Sequence, residues 1–582
     1  MDDMTDQLRP ATIDARRGRS LDEFVSPPTP GTPARRTRAA AAVTRRLRPQ
    51  EEVVEPEWKP VNLTVAERYN LIDVWTTVFT DIYVHYDQKR ALYGFDPIRA
   101  LGALARQIPY LDSPGFLREL MLLINRLRDA HTQLYVAPDH PELADYVAVL
   151  PFLVEPCGPH LTPTYIVTKI GEVDDARFVE GVEVTSWNGV PFGRAVELYG
   201  ETLTGGRPDA RRARALESLT QRPLQYLPVP DERWVEIGYH QADDKPSQPE
   251  RTIRFHWRVI APDKALSAAQ SIRLETHRAI NATSEAARRA RKLLFQPRLW
   301  EADKASRRAA KDSKWLATSF SDAIAARTIT TSFGKFGYMR LWTFDIEHDH
   351  QYVTEVARLL AKLPTTGLIL DLRSNPGGVI DAAERLLQLF TPNEIEPTRF
   401  ALRATPITAD LADADGNGPD LADWAPSTNA ALTLGEAYSQ QLPISNKDAC
   451  NDTGQRYHGP IVAIVDANTF SCGDLFTAGV VDHNIGQIVA VGDATGAGGA
   501  NVWTNDDLAY AYHAGGHRFP TLPDGISFTV SVRRMVRTGN NLGVAIEDVG
   551  IPGHETYTMT RNDLLNGNVD LADFCGNLLK HA

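Results

Sequence analysis

Cysteine is scarce in this chain: four residues in 582, at Cys157, Cys450, Cys472 and Cys575, with no C-x-x-C pair and no histidine at zinc-ligand spacing. That argues against a disulfide scaffold and a structural zinc site, and suits free thiols in a reducing compartment. Long apolar runs are missing too. No stretch reaches about 18 apolar residues, so no membrane-spanning helix is expected. A basic surplus is absent: 62 Lys and Arg stand against 74 Asp and Glu, a net charge of −12. This argues against a dedicated nucleic-acid partner, which needs a basic face to neutralise phosphates. There is no H-E-x-x-H, no Walker loop and no G-x-G-x-x-G between a strand and a helix, so neither a metal nor an organic cofactor is expected. The first residues are acidic and then Arg-rich, and lack the apolar stretch of a secretory signal. The cytoplasm is the expected location, although export by another route leaves no such mark.

What is present is an ordinary globular composition, 43% hydrophobic and 23% charged, with enough apolar material for several domains. Residues 1–58, rich in Arg, Pro, Thr and Ala, read as a disordered basic tail. Residues 59–142 carry apolar positions at three and four spacing and read as a helical domain. One of its helices should start at Ser113, with Pro114 just inside, and end around Asp129-Ala130-His131, which puts His131 at a helix C-terminus or in the loop after it. Residues 143–260 alternate in period two, with Asn188-Gly189 as a hairpin turn, and read as a β-rich module. Residues 261–325 read as a basic helical insertion. From 326 to 578 buried strands alternate with helices, the pattern of an α/β domain with a largely parallel sheet, interrupted by a surface insertion at 402–455.

Two strand ends carry unusual chemistry. After the strand expected over Leu368–Leu372 comes Asn375-Pro376-Gly377-Gly378. Paired glycines ahead of a helix leave backbone N–H groups accessible to a developing oxyanion, though a turn needed only for geometry would look the same. After Ile461–Val465 comes Asn468-Thr469-Phe470-Ser471-Cys472-Gly473-Asp474. A serine between a buried strand and a helix follows the logic of a nucleophile elbow, with the Cys472 N–H able to join an oxyanion hole; the alternative is a serine N-cap.

Taken in order, these pieces resemble the tail-specific, or C-terminal-processing, serine protease family. "GLILDLRSNPGG" is similar to its oxyanion strand and turn, and "ANTFSCGDLFTAGV" to its nucleophile segment. "GYMRLWTF", "RLRDAHTQLY" and "AIEDVGIPGHETY" resemble its other conserved stretches, and 150–200 resembles its PDZ-like module more weakly. The resemblance implies a crotonase/ClpP-like α/β catalytic core with an N-terminal helical domain, and a serine endopeptidase acting on extended polypeptides. It also implies an oxyanion hole from Gly377, Gly378 and Cys472, and a homo-oligomer as one possibility.

One departure bears on mechanism. Many members of the family use a lysine downstream of the serine as general base. Here no lysine lies between Lys447 and Lys580, and the expected place, Gly492–Gly499, has no amine. The branch resembling the tricorn core and the chlamydial protease-like factor uses a histidine with a glutamate behind it. That points to His131 as the base of Ser471 and to Glu547 as its carboxylate, with Asp548 the near competitor. An imidazole suits the task because its ordinary pKa lies near neutral pH. His131 could equally cap a helix C-terminus. His483, twelve residues after Ser471, falls beyond the following helix and is set aside. Two other functions remain: a peptide-binding scaffold that has lost catalysis, and a hydrolase of non-peptide esters.

Overall fold

The computed structural model describes residues 47–49, 61–136, 146–171, 173–245, 247–260, 277–295, 315–414 and 421–582. The basic tail expected over 1–58 lies outside the described residues apart from 47–49, and so does most of the insertion expected over 261–325.

The helical region opens with α1 (Val65–Thr77), where the Thr64 hydroxyl accepts the Glu67 N–H and Glu67 accepts the Thr64 N–H. Next come α2 (Tyr86–Tyr93), stopped by Gly94 at φ 60°, and α3 (Pro97–Ala105). Then α4 (Ser113–Asn125) follows, capped by Asp112. Their apolar faces, with Leu71, Trp75, Leu120 and Ile124, bury in the same core as Leu368, Leu370 and Ala463 of the C-terminal half. A loop over 126–132 leads into strand β1 (Gln133–Val136).

A second unit has its own apolar core, with Phe152, Phe178, Trp187, Tyr239 and Phe255. Its strands β2 (Phe152–Cys157), β3 (Thr164–Ile170), β4 (Glu183–Trp187), β5 (Trp234–His240) and β6 (Arg251–His256) form one antiparallel sheet in the order β6-β5-β4-β3-β2. Asn188 and Gly189 both take positive φ at a hairpin turn, as their dipeptide suggests. Two helices also lie here, α5 (Phe192–Gly200) and α6 (Pro208–Thr220). The strand-and-turn reading of this stretch missed them, because its strong period-two segments flank them on both sides.

The insertion has one described helix, α7 (Ala282–Phe295), preceded by the short strand β7 (Arg278–Ile280). The core follows with β8 (Ile324–Thr331), β9 (Gly334–Leu341), helix α8 (Asp349–Leu360), β10 (Leu368–Asp371), β11 (Gly377–Val379) and helix α9 (Ile380–Leu387). It continues with β12 (Ile461–Asp466), helix α10 (Cys472–Asp482), β13 (Gln487–Val491), β14 (Ile526–Val536), β15 (Glu555–Tyr557) and helix α11 (Val569–His581). The main sheet runs β8-β9-β10-β12-β13-β15, parallel from β9 onward. All four residues of β10 are buried, and so are the first five of β12. That is why Leu368–Leu370 and Ile461–Val465 read as apolar runs rather than alternations; the fourth buried residue of β10 is Asp371. The stretch 402–455 is no surface decoration: Leu411, Leu421 and Trp424 bury in the main core.

Two features of topology set up the site. β10 and β12 are parallel neighbours, so the loops leaving their C-terminal ends meet. β1, from the N-terminal half, pairs antiparallel with β14, Gln133 opposite Thr529 and Val136 opposite Ile526, and this ties the preceding loop to β14, a strand of a second sheet beside the main one. Among the described residues, no helix is long and apolar enough to cross a membrane.

Candidate active site

The glycine turn is held from several sides. Asp371, at the end of β10, is fully buried and accepts from Arg340 Nη1 (2.5 Å), Tyr338 Oη (3.0 Å) and the Arg373 guanidinium (2.7 Å). Two cations and a hydroxyl offset the desolvation of that carboxylate. Asn375 uses every polar group it has. Its amide nitrogen donates to Leu341 O (2.9 Å), its side-chain oxygen accepts the Gly377 N–H (2.9 Å), and its carbonyl accepts the Phe470 N–H (2.8 Å). The last bond ties the glycine turn to the serine loop.

Ser471 stands at the start of α10 with φ 64° and ψ −117°, a conformation an L-residue adopts at a cost of roughly 1–3 kcal/mol. Asp474 holds it there. Its buried carboxylate accepts from the N–H groups of Ser471 (2.7 Å), Gly498 (2.9 Å) and Ala497 (3.1 Å) and from the Thr495 hydroxyl. Burial pushes the Asp474 carboxyl up to about 6, and the four donors pull the other way. A Cβ on Gly498 would stand 2.3 Å from the Phe470 ring, so only glycine lets this loop close over the residue before the nucleophile.

His131 comes from the opposite half of the chain. Its Nε2 lies 2.7 Å from Ser471 Oγ, and both side chains are buried. The loop that carries it is fixed through backbone and neighbours: Asp129 accepts the His131 N–H (2.8 Å) and the hydroxyls of Thr132 (2.9 Å) and Ser531 (2.8 Å), while the Thr529 hydroxyl donates to His131 O (2.8 Å). The ring lies 4.7 Å from that of Phe470. Burial drives the imidazole down to about 4, Asp129 opposes, and Arg214 and Lys89 add to the fall.

The expected carboxylate is elsewhere. Nδ1 of His131 is buried without a hydrogen-bond partner among the described residues. Glu547 instead accepts from Lys89 Nζ (2.5 Å) and the Gly499 N–H (2.8 Å), and Asp548 accepts from Lys89 (2.7 Å), Tyr93 (2.7 Å) and Gln88 (2.9 Å). The reason is electrostatic: the buried ammonium of Lys89 is the strongest local partner for both carboxylates, and it also donates to Arg128 O (3.1 Å) in the histidine loop. Burial pushes the Glu547 carboxyl above its ordinary range, against Lys89.

The oxyanion expectation also needs correction in detail. The Gly377 N–H is taken by Asn375. β7 pairs antiparallel with β11, Ala279 opposite Gly378, and the flanking bonds Asn281 N to Pro376 O and Ile380 N to His277 O make Ala279 and Gly378 the bonded pair of that ladder. Cys472 is the first residue of α10, so its N–H has no carbonyl to reach within the helix. A Cβ on Gly377, where φ is 103°, would fall 2.8 Å from Ser471 Cβ and 3.0 Å from Cys472 N, so the space beside these atoms exists only because the residue is glycine.

The imidazole of His85 and the carboxylates of Asp129 and Glu547 bring ligand atoms within 4.8 Å of one another. Lys89 already supplies a cation to Glu547, which disfavours a second one there. Sequence reading missed three residues of this centre. Asp474 left a signal, an acidic residue three positions after a helix-opening serine. Asp129 was quoted in its motif without a role. Lys89 left none, because a lysine in a helix normally reads as solvated.

Residues 335–537 match the family model described as Peptidase family S41. No curated protein sequence matches the chain. Among solved structures, mature CPAF is similar at 16% identity and a TM-score of 0.61, covering 89% of this chain and 98% of that one. Mature CPAF complexed with lactacystin is similar at 16% and 0.60, with 89% and 99% covered. The photosystem II D1 C-terminal processing protease aligns at 13% and 0.37, with 85% and 94% covered. The likeness to CPAF is one of fold.

Proposed function

Starting from a chain that carries a peptidase family S41 domain and is by class a serine peptidase, we propose an endopeptidase that cleaves extended polypeptides through an acyl-enzyme on Ser471. The observation that carries this reading is the 2.7 Å contact between Ser471 Oγ and His131 Nε2. With the ring proton on Nδ1, Nε2 accepts the Ser471 proton as Oγ attacks the scissile carbonyl, then returns it to the leaving amine. In this reading the Cys472 N–H, at the positive end of α10, and the Gly378 N–H donate to the tetrahedral oxygen. The Gly378 N–H becomes available when β7 leaves. Glu547, or Asp548 beside it, is the carboxylate nearest in role to a third member, and it reaches His131 only if Lys89 releases it.

The mode of substrate binding follows from β7. An extended segment of the chain already pairs with β11 beside Ser471, which supports a substrate that binds the same strand edge in its place. We infer that the parallel sheet with its two catalytic strand ends is a crotonase/ClpP-like core. The β2–β6 unit is, in this reading, PDZ-like: edge strand β2 and helix α6 line a cleft of about 250 Å³ that also reaches Asp466 and Asn468 of the core. Four free, buried cysteines fit a reducing compartment, and we infer a cytoplasmic location from them.

The test is covalent labelling with a fluorophosphonate, followed by peptide cleavage. Wild type should label at Ser471 and cut an unstructured protein such as casein. Ser471→Ala should do neither, and His131→Ala should lose roughly 10⁴-fold or more in kcat/KM. Equal labelling of all three ends the proposal. A second reading, a peptide-binding protein without catalysis, draws on the unpartnered Nδ1 of His131. It predicts measurable peptide affinity with no labelling.

A further inference from the structure

Arg214 is the cationic side chain beside the site that its surroundings leave least satisfied. It projects from α6, is 6% exposed, and has one hydrogen bond, from Nη1 to Thr204 O (3.2 Å). Its Nε and Nη2 have no partner among the described residues. A buried guanidinium normally has its N–H groups filled, since each one left empty costs desolvation with no return. Room is kept for it nonetheless: Gly205 sits at φ 126°, and a Cβ there would stand 2.0 Å from Nη1.

The empty donors face company of the same kind. Arg214 lines a small cavity with Thr204, Gln133 and Asn281. The Thr204 hydroxyl is unpartnered, and so is the Asn281 amide nitrogen. The Asn281 orientation is fixed, because its side-chain oxygen accepts the Ser284 N–H (3.1 Å) at the start of α7, which turns the NH₂ away. Glu217 also lines the space and is an acid, but it is engaged by Arg291. Buried donors with no acceptor, around one cationic group, make a site for an anion.

The position ties it to the chemistry. The Arg214 guanidinium lies 4.5 Å over the Phe470 ring, which neighbours Ser471 in sequence and His131 in space. Asn281 directly follows β7 on the glycine strand, and its N–H donates to Pro376 O (2.9 Å). Two of its walls, Arg214 and Asn281, thus touch residues next to Ser471: Phe470 and the glycine turn at Pro376. Burial pulls Arg214 down to about 10, so it stays charged at neutral pH.

We propose that Arg214, with the Asn281 amide and the Thr204 hydroxyl, binds a carboxylate of the peptide substrate close to the scissile bond and so sets specificity. The carboxylate belongs to an Asp or Glu side chain or to a free C-terminus. This rests on the endopeptidase reading above.

The experiment uses the full chain and internally quenched peptides in matched pairs. One set places Glu or its neutral isostere Gln at each of several positions on either side of the bond. The other compares a free C-terminal acid with its amide. One charged–hydrogen-bonded contact predicts a kcat/KM ratio of roughly 10- to 100-fold at one position, or for the free acid, carried mainly by KM. In Arg214→Gln the ratio falls to about one, and taking the ratio within each protein cancels any general loss of active enzyme. Arg214→Lys, which keeps the charge without the fork, gives an intermediate ratio. Which set responds tells a side chain from a chain end. A wild-type ratio near one in both sets, with Ser471 labelled, overturns the proposal even if the variants fail to fold. So does a ratio that survives in Arg214→Gln. If Ser471 neither labels nor cuts any peptide, the endopeptidase reading falls, and this inference falls with it.

Discussion

The two halves of the centre are built differently. On the serine side, one short segment supplies the strand end, the strained serine and the carboxylate that holds it: Asp474 accepts from the Ser471 N–H and from the loop at Thr495–Gly498. On the histidine side, the loop over 126–132 is pinned by its backbone, through Asp129, β14 and Lys89, while Nδ1 of the His131 ring has no partner among the described residues. Ser471 is preorganised locally. The imidazole is delivered by tertiary contacts. A centre assembled this way can be disabled from the second side without touching the first.

The largest expected effect tests the rigid side. Asp474→Ala leaves three buried N–H groups without an acceptor and should destabilise the protein by roughly 3–5 kcal/mol, read by chemical denaturation, with loss of Ser471 labelling. A change under about 1 kcal/mol would mean the serine loop is held by something else. The softer side should respond nearly as much. Lys89→Met strands two buried carboxylates and should cost roughly 3 kcal/mol, and it should move the pH profile of kcat/KM where a purely structural loss would not.

Acidity distinguishes the halves more gently. His131 must be neutral to act as a base, and its folded value is near 4 against an ordinary 6.5. Between those values the unfolded chain takes a proton that the folded protein refuses. The stability His131 contributes is therefore present above about pH 6.5 and lost as pH falls toward 4. The acid limb of kcat/KM should lie nearer 4 than 6.5, and a limb at 6.5 or above would show that the imidazole is not held in its buried setting. The smallest effect concerns access. Ala279→Pro removes the N–H that β7 contributes to its ladder with Gly378 and should speed fluorophosphonate labelling severalfold. Unchanged labelling would mean that β7 does not limit entry to the site.

Much of this was legible in the chain itself, for identifiable reasons. β10 and β12 could be read because strands buried on both faces are continuous apolar runs, and the turns after them because glycine and proline punctuate. Helices α5 and α6 were not read, since flanking alternation masked them. Trp424 was taken for surface because its neighbours are Asp- and Ala-rich, yet tertiary packing buries it.

By itself, the sequence determined the two strand-end motifs, the serine with its acidic neighbour three residues on, and the absence of a lysine that could replace an imidazole. These are local facts, fixed by side-chain chemistry and spacing along one segment. Only the tertiary structure decided that His131 meets Ser471, that Lys89 rather than His131 holds Glu547, that β7 pairs with the glycine strand β11, and that Arg214, over Phe470, has donors with no partner among the described residues. Each of those joins residues far apart in the chain. Which partner a buried charge finds is settled by the competition among all groups that folding brings within reach, and no single segment records that competition.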